Sequence, residues 1–296
     1  MKISVTGFEI IEGNHAAEQA ENFMSLFDGF IQQRSLKSEY IIAINFFIFT
    51  ANNEAYQQHI QELKKQLPEY IRNNIPLTIL AHAPASGKKI SAELWYIEDP
   101  GDVIFSNRIT GGNIYRVIQA GKEKLVISGG IESNTRAGNI SEAAEKVFQC
   151  MDEILIAEGL NFSNIIRQWN YIENITAVDK DDGHSYQHYQ QFNNIRSQYY
   201  DGTAFKYGYP AATGIGIKSG GVIVSFFAAS EKFFSITSLE NSLQKSAFEY
   251  SREVLIGDKE YRGCTKCPPK FSRAKSIVRG NSEQILISGT ASIRGQ

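Results

Sequence analysis

The sequence predicts an α/β (α+β) fold made of two related units, each a mixed sheet with two helices packed on one face. Three observations predict it. The order strand–helix–strand–helix–strand–strand runs twice along the chain. The apolar spacing changes from short continuous runs, as in a buried strand, to the 3.6-residue period of a helix and back. A stretch rich in turn residues, Ile97 to Gly121, separates the two runs and holds Asp99-Pro100-Gly101 and Gly111-Gly112. The halves share little identity, so the repeat is one of pattern.

In the first half, a strand over Ile3 to Ile11 leads to a helix over Ala16 to Arg34, then to a very apolar strand over Tyr40 to Thr50. The next helix starts near Asn53, carries Tyr56, Ile60, Leu63 and Leu67 on one stripe, and breaks near Pro68 or a few residues later. Strands follow at Leu77 to Ala83 and Ser91 to Ile97, separated by the turn-like Pro84-Ala85-Ser86-Gly87.

In the second half, Lys124 to Ser128 is a strand. Asn139 caps a helix, with Glu142 placed three residues on for a capping box, and Gly159 ends it. Ile140, Ala143, Ala144, Val147, Met151, Ile154 and Leu155 form its apolar face. Ile165 to Ile175 reads as a strand, Ser185 to Tyr200 as a polar, aromatic helix, and Gly214 to Lys218, Val222 to Ala229 and Ile285 to Ile293 as strands.

Composition narrows the function. The chain has 296 residues, 42% of them hydrophobic, enough for two modest domains. Its 30 basic residues balance 32 acidic ones, which argues against a nucleic-acid partner and an RNA-cleaving role. The opening MKISVTGFEI lacks the basic and apolar regions of a signal peptide. The most apolar segment, Tyr40 to Thr50, is about half the ~20 residues of a membrane span, so no membrane partner is expected. Three cysteines do not form a disulfide framework, and a cytoplasmic location is the natural reading.

Three segments are candidates for chemistry. Tyr189, Asn193, Arg196 and Tyr200 fall at i, i+4, i+7 and i+11 and so share a helix face. Such a stripe suits a wet pocket, although spacing alone favours a solvated face with Arg196 in a surface ion pair. The segment Tyr207 to Ile217 packs glycine and small residues before a strand, where exposed N–H groups suit a carboxylate and a tight turn is the alternative. No helix follows it, which excludes a dinucleotide fingerprint. Arg273, after Pro268-Pro269, has the rigid fork that grips a carboxylate, unless it is simply a surface arginine.

Other motifs are discounted. Cys264-x-x-Cys267 has no second half for a zinc site, and Cys150 lies within an apolar helix face. Asp179 to Gly183 lacks the acidic alternation of a calcium loop. His184 and His188 are four apart at a loop-to-helix junction and are expected to face solvent. No metal and no cofactor are therefore expected.

Several stretches, in order, resemble a known family. These are Ile127-Ser-Gly-Gly130, Arg167-Gln-Trp-Asn-Tyr-Ile172, Tyr189-Gln-Gln-Phe with Arg196, and Pro210-Ala-Ala-Thr213. Ser246-Ala-Phe-Glu-Tyr250, Phe271-Ser-Arg-Ala274 and Ser288-Gly-Thr-Ala-Ser-Ile293 complete the set. Together they resemble the chorismatases of the FkbO type, within the wider RidA/YjgF superfamily, from Lys122 to the end.

The resemblance implies YjgF-like (chorismate mutase-like) architecture, with an FkbO-type N-terminal α/β domain over 1–120 and a RidA/YjgF-like chorismatase domain over 121–296. It implies action on chorismate with release of pyruvate. In that chemistry an acid protonates the enol methylene, water captures the oxocarbenium-like centre, and the hemiketal collapses. Carried over by motif, Tyr189, Arg196, Thr213, Tyr250, Arg273 and Thr290 face the pocket and bind a small anionic metabolite.

The family's catalytic glutamate lies a few residues beyond the last strand, which here runs into Arg294-Gly295-Gln296. The acid is therefore expected to be missing unless Glu173 or Glu249 reaches the pocket, and a non-catalytic binding protein is the alternative. RidA-type imine deaminases place a glutamate where Ser288 stands, which puts that chemistry in doubt too. RidA-type domains commonly trimerise, so a homo-oligomer is a further expectation.

Overall fold

In the computed structural model, which describes residues 1–10, 16–84, 90–133, 139–181, 184–255, 258, 260–261 and 264–290, four layers stack as helices, sheet, sheet, helices. The first unit runs β1 (Lys2–Glu9), α1 (Ala16–Arg34), β2 (Ile41–Ile48), α2 (Asn53–Gln66), α3 (Glu69–Asn74), β3 (Leu77–Leu80) and β4 (Ile90–Glu98). Its sheet has the order β1-β4-β2-β3, antiparallel except for the parallel β2–β3 pair. The chain leaves this sheet at Glu98 and enters the second at Ile104.

There β5 (Ile104–Thr110), β6 (Asn113–Ala120) and β7 (Glu123–Ser128) form a meander across residue 120. Next come the short β8 (Ile131–Glu132), α4 (Ile140–Ala157), β9 (Ile165–Glu173), a hairpin of β10 (Val178–Asp181) and β11 (His184–Gln187), and α5 (His188–Tyr200). β12 (Ala211–Ile217) and β13 (Val222–Ala229) complete the seven-stranded sheet, whose main order is β12-β9-β13-β7-β6-β5. β14 (Ser235–Leu239), the two-residue pair β15 (Glu260–Tyr261) and β16 (Cys264–Thr265), β17 (Ala274–Arg279) and β18 (Ser282–Ile287) follow. β14, β17 and β18 make a three-stranded antiparallel sheet.

The layering follows from strands apolar on both faces. Every residue of β13 is buried. Its Val222, Val224, Phe226 and Ala228 join the core under α4 and α5, while Phe227 and Ala229 meet the first sheet. In β2, Ile44, Phe46 and Ile48 pack under α1 and α2, and Ile42 and Ala43 face the second sheet. Continuous apolar runs of this kind mark strands covered on both sides.

Two polar devices join the units. Arg116, 3% exposed, donates to the carbonyls of Glu39 (2.6 Å), Ile41 and Asn74 (2.7 Å) and to Asn107 Oδ1 (2.9 Å). Gly129 lies so close to β3 that a Cβ there would sit 2.6 Å from the Leu77 carbonyl oxygen. The Gly130 N–H donates to that same oxygen at 2.9 Å. A third link ties β18 to β1, where the Gln284 amide exchanges hydrogen bonds with the Ile3 backbone at 2.9 and 2.6 Å.

Several expectations need correction. Ser185 to Gln187 are strand, and the helix begins at His188, because β10 and β11 pair over Val178–Gln187. The last strand ends at Ile287, Ser288 to Thr290 lie beyond it, and residues 291–293 lie outside the described residues, as do Ile11 and 85–87. His188 is buried and bonds the Glu173 carbonyl (2.7 Å) and Asp179 (3.1 Å), while His184 is exposed. Asn139 does cap α4, accepting from the Glu142 N–H at 3.0 Å. Among the described residues, no helix is long and apolar enough to cross a membrane.

Candidate functional site

Sheet alternation distributes the polar residues of β9. Gln168 and Asn170 point towards α5, and Tyr200 of α5 donates to Gln168 Oε1 at 2.8 Å. Arg167, Trp169 and Tyr171 point the other way, where Trp169 meets Trp95 of β4 at 5.4 Å between ring centroids.

On the α5 side, Arg196 is 1% exposed, and no described acid lies within ion-pair distance of it. The surface ion pair is thereby overturned: the helix face that carries Arg196 is turned into the protein. Its Nη2 donates to Asn193 Oδ1 at 2.6 Å, and its guanidinium lies 5.5 Å from the Phe192 ring centroid. Among the described residues, no hydrogen-bond partner reaches the buried donors Nε of Arg196 and Nδ2 of Asn193. A buried charge is stable only when its donors are satisfied, so these two mark a place for an acceptor. Burial raises the Tyr200 and Tyr209 hydroxyls above the ordinary tyrosine range, against the opposing pull of Arg196, so both are protonated at neutral pH.

Arg273, 7% exposed, repeats the pattern. Its Nη2 donates to the Lys245 carbonyl (2.6 Å) and the Tyr250 hydroxyl (2.9 Å), and its Nε and Nη1 are buried without a partner among the described residues. Tyr250 is seated by packing on Ala212, Ala247 and Phe271. A third arginine was not singled out as a site residue by the sequence. Arg167, 7% exposed, donates to Thr213 Oγ1 at 2.8 Å, stacks 4.5 Å over Trp169 and leaves Nη1 without a partner. Burial lowers its pKa to about 10, which still leaves it charged at neutral pH. A cation alternating with Trp169 and Tyr171 in a strand was the signal available.

The structure thus joins Arg273 to Tyr250, and Thr213 to Arg167 and, through Gly289 N–H at 2.9 Å, to the segment after β18. No direct hydrogen bond joins Arg196 to Arg273. Tyr189 packs on the core under α5, beside Gly214. Thr290 is exposed. Glu173 is occupied elsewhere, accepting from Asn53 Nδ2 (3.0 Å) and the Gly221 N–H (2.8 Å), and Glu249 is exposed. Ser288 is a buried staple: its hydroxyl accepts from the Ala212 N–H at 2.8 Å and donates to the Ser272 carbonyl at 2.6 Å.

A cleft of about 550 Å³ is walled by Phe205, Tyr207, Tyr209, Ser238, Phe248 and Ser272, among others. Tyr209 stacks on Tyr200 (6.0 Å, 11°), Phe248 is two residues from Tyr250, and Ser272 precedes Arg273. This aromatic cleft, whose walls adjoin the segments that carry Tyr250 and Arg273, has the chemistry to hold a small aromatic or unsaturated ligand, and no described arginine is among its lining. Among the described residues, no group of three His, Cys, Asp or Glu is placed to hold a metal ion.

The model of the family "Chorismatase FkbO/Hyg5-like, N-terminal" matches residues 107–228. A "3-hydroxybenzoate synthase" of Streptomyces hygroscopicus is 29% identical over 159 residues, covering 53% of this chain and 43% of that protein. A "Chorismatase" of the same organism is 26% identical over 219 residues, covering 72% of this chain and 55% of that protein. The chain therefore spans about half the length of the curated relatives it matches. A crystal structure of chorismatase aligns with a TM-score of 0.60 at 18% identity, over 99% of this chain and 70% of that one, which shows a shared fold. The segment 107–228 is thus similar to the N-terminal part of FkbO/Hyg5-like chorismatases, and the chain as a whole shares the chorismatase fold.

Proposed function

We propose that this chain binds a small aromatic or enolpyruvyl carboxylate in the cleft beside Arg196 and Arg273, and that it releases pyruvate from chorismate or a related compound. The observation that carries the reading is the pair of buried guanidinium groups, each with open donors and no described carboxylate partner. Left empty, such donors cost about 1–3 kcal/mol each, and a carboxylate ligand recovers that cost. In this reading Arg273 and Tyr250 grip one carboxylate, Arg196 with Asn193 holds the other polar end, and the Tyr209 and Phe248 rings enclose the body of the ligand. Tyr189, Thr213 and Thr290 belong to the same proposed pocket through their motifs.

The chemical step needs an acid to protonate the enol methylene. Glu173 has both oxygens engaged in joining α2 to the turn before β13, and Glu249 is exposed, so neither is assigned that role. This placement favours, as a second reading, a protein that binds the ligand without turning it over. Imine deamination has less support, because Ser288, at the last-strand position of the RidA-type glutamate, is committed to two backbone bonds.

Incubation of the purified protein with chorismate, with pyruvate as the readout, tests cleavage. No pyruvate above the uncatalysed rate rejects it. Calorimetry with chorismate and 3-hydroxybenzoate tests the site: uptake by the native protein that is lost in Arg273→Ala supports the pocket whatever the turnover.

A further inference from the structure

Two residues after Arg273, on β17, stands a lysine that the sequence reading passed over. Lys275 is 1% exposed, and no described acid lies within ion-pair distance of it. Its ammonium donates to the Tyr207 carbonyl, to the Gly208 carbonyl at 3.2 Å and to Ser238 Oγ at 3.4 Å. Ser238 donates to the same Tyr207 carbonyl at 2.6 Å and lies 3.4 Å from Ser272 Oγ. All the acceptors belong to the loop between α5 and β12 or to β14, so one side chain clamps that loop to the three-stranded sheet.

The backbone of the loop depends on this contact. Gly208 has φ +71°, and a Cβ there would lie 2.7 Å from Ser238 Oγ. The loop presses directly on the groups that Lys275 organises. Phe205, Tyr207, Gly208 and Tyr209 line the cleft, and Tyr209 is the residue that stacks on Tyr200 and feels the charge of Arg196. A buried ammonium is a costly way to fill space, since an apolar side chain of the same length would fill it without desolvating a charge. The arrangement makes sense if the cation's three directed donors fix the loop.

We propose that Lys275 is a positioning residue that sets the Tyr207–Gly208–Tyr209 wall of the cleft and so tunes ligand binding without touching the ligand. The proposal rests on the reading of the cleft as the ligand site. It also brings a pH dependence. Burial lowers the Lys275 pKa to about 8, with Glu240 pulling weakly the other way. On the loop that Lys275 holds, Lys206 pairs with Glu231 at 3.5 Å and lies 5.1 Å from the Tyr207 ring centroid. As pH rises through 8 the ammonium becomes an amine, which keeps two donors and sheds the desolvated charge; an open loop would return the lysine towards its ordinary pKa, so rising pH favours the closed loop.

The test compares native protein, Lys275→Met and Lys275→Arg. Hydrogen exchange of residues 203–209 in the ligand-free proteins, corrected for intrinsic rates, should be at least about 10-fold faster in Lys275→Met, with β9 unchanged, and restored in Lys275→Arg. In native protein alone it should also fall between pH 7 and 9. Affinity for 3-hydroxybenzoate should tighten about 3- to 10-fold over the same range, and this slope should be absent in both variants. Equal loop exchange in the native and Met proteins, or an unchanged pH slope of affinity in Lys275→Met, overturns the proposal. If native protein binds neither 3-hydroxybenzoate nor chorismate, the ligand-site reading fails, and loop exchange alone decides the role of Lys275 as a clamp.

Discussion

The Tyr250 hydroxyl accepts from Arg273 Nη2 at 2.9 Å, which fixes one prong of the guanidinium fork and leaves Nε and Nη1 as buried donors. A fork held from one side is ready to receive a carboxylate on the other. Preorganisation of this kind lowers the entropy that binding must overcome.

Arg273→Ala should therefore weaken binding of 3-hydroxybenzoate by about 10- to 150-fold, the range for losing a hydrogen bond to a charged group. Tyr250→Phe keeps the ring packed on Ala212 and Phe271 and removes only the hydroxyl, so a loss of about 3- to 10-fold is expected. Calorimetry on both variants measures the two losses. Equal losses would mean that Tyr250 meets the ligand itself.

Arg196→Met should keep the apolar stem and remove the open Nε. Ligand affinity should fall by about 10-fold or more, while the urea midpoint moves little or rises, because the substitution also removes a buried charge without an ion-pair partner. Denaturant unfolding and calorimetry on the same sample separate the two effects. A fall in midpoint with unchanged affinity would make Arg196 a structural residue.

At the seam between the units, Arg116→Met should destabilise the protein by about 3 kcal/mol, because three carbonyls lose their charged donor. Gly129→Ala should cost about 1–3 kcal/mol by forcing β3 away from the second sheet. Both are read as shifts of the urea midpoint. No shift in either would show that the seam tolerates separation.

Stability should depend on pH in a defined direction. The folded pKa of Lys275 lies near 8, below its ordinary 10.5, so between these values the unfolded chain binds the extra proton and stability rises with pH. Tyr171 and Tyr200 are raised by burial, so above pH 10 the unfolded chain releases protons that the folded one keeps, and stability falls. Unfolding midpoints from pH 7 to 11 should pass through a maximum near 10. In Lys275→Met the rising limb should be missing.

Apolar periodicity made the scaffold legible in the sequence. The stripe Tyr56, Ile60, Leu63 and the cap Asn139 predicted α2 and α4, and the unbroken run Val222 to Ala229 predicted a strand. What it left obscure has a common cause. Short polar pairings such as β10–β11 lack an apolar face, and their strand state comes from partners rather than from periodicity. His188 read as solvent-facing for the same reason: its acceptors, the Glu173 carbonyl and Asp179, come together only when that hairpin folds.

The sequence by itself determined the repeated order of strands and helices, the α5 stripe of Tyr189, Asn193, Arg196 and Tyr200, and the motifs that carry the resemblance. Only the tertiary structure decided which way that stripe faces. Spacing puts Arg196 and Asn193 on one side of a helix, but the sign of that face is set by what packs against it. Here Gln168 of β9 and the ring of Tyr209 cover it and turn a would-be surface arginine into a buried one. Likewise Arg167 and Lys275 look like isolated cations in apolar strands until the fold supplies Thr213, Tyr207 and Ser238 as their acceptors. A buried charge is defined by its surroundings, and those surroundings come from residues dozens of positions away.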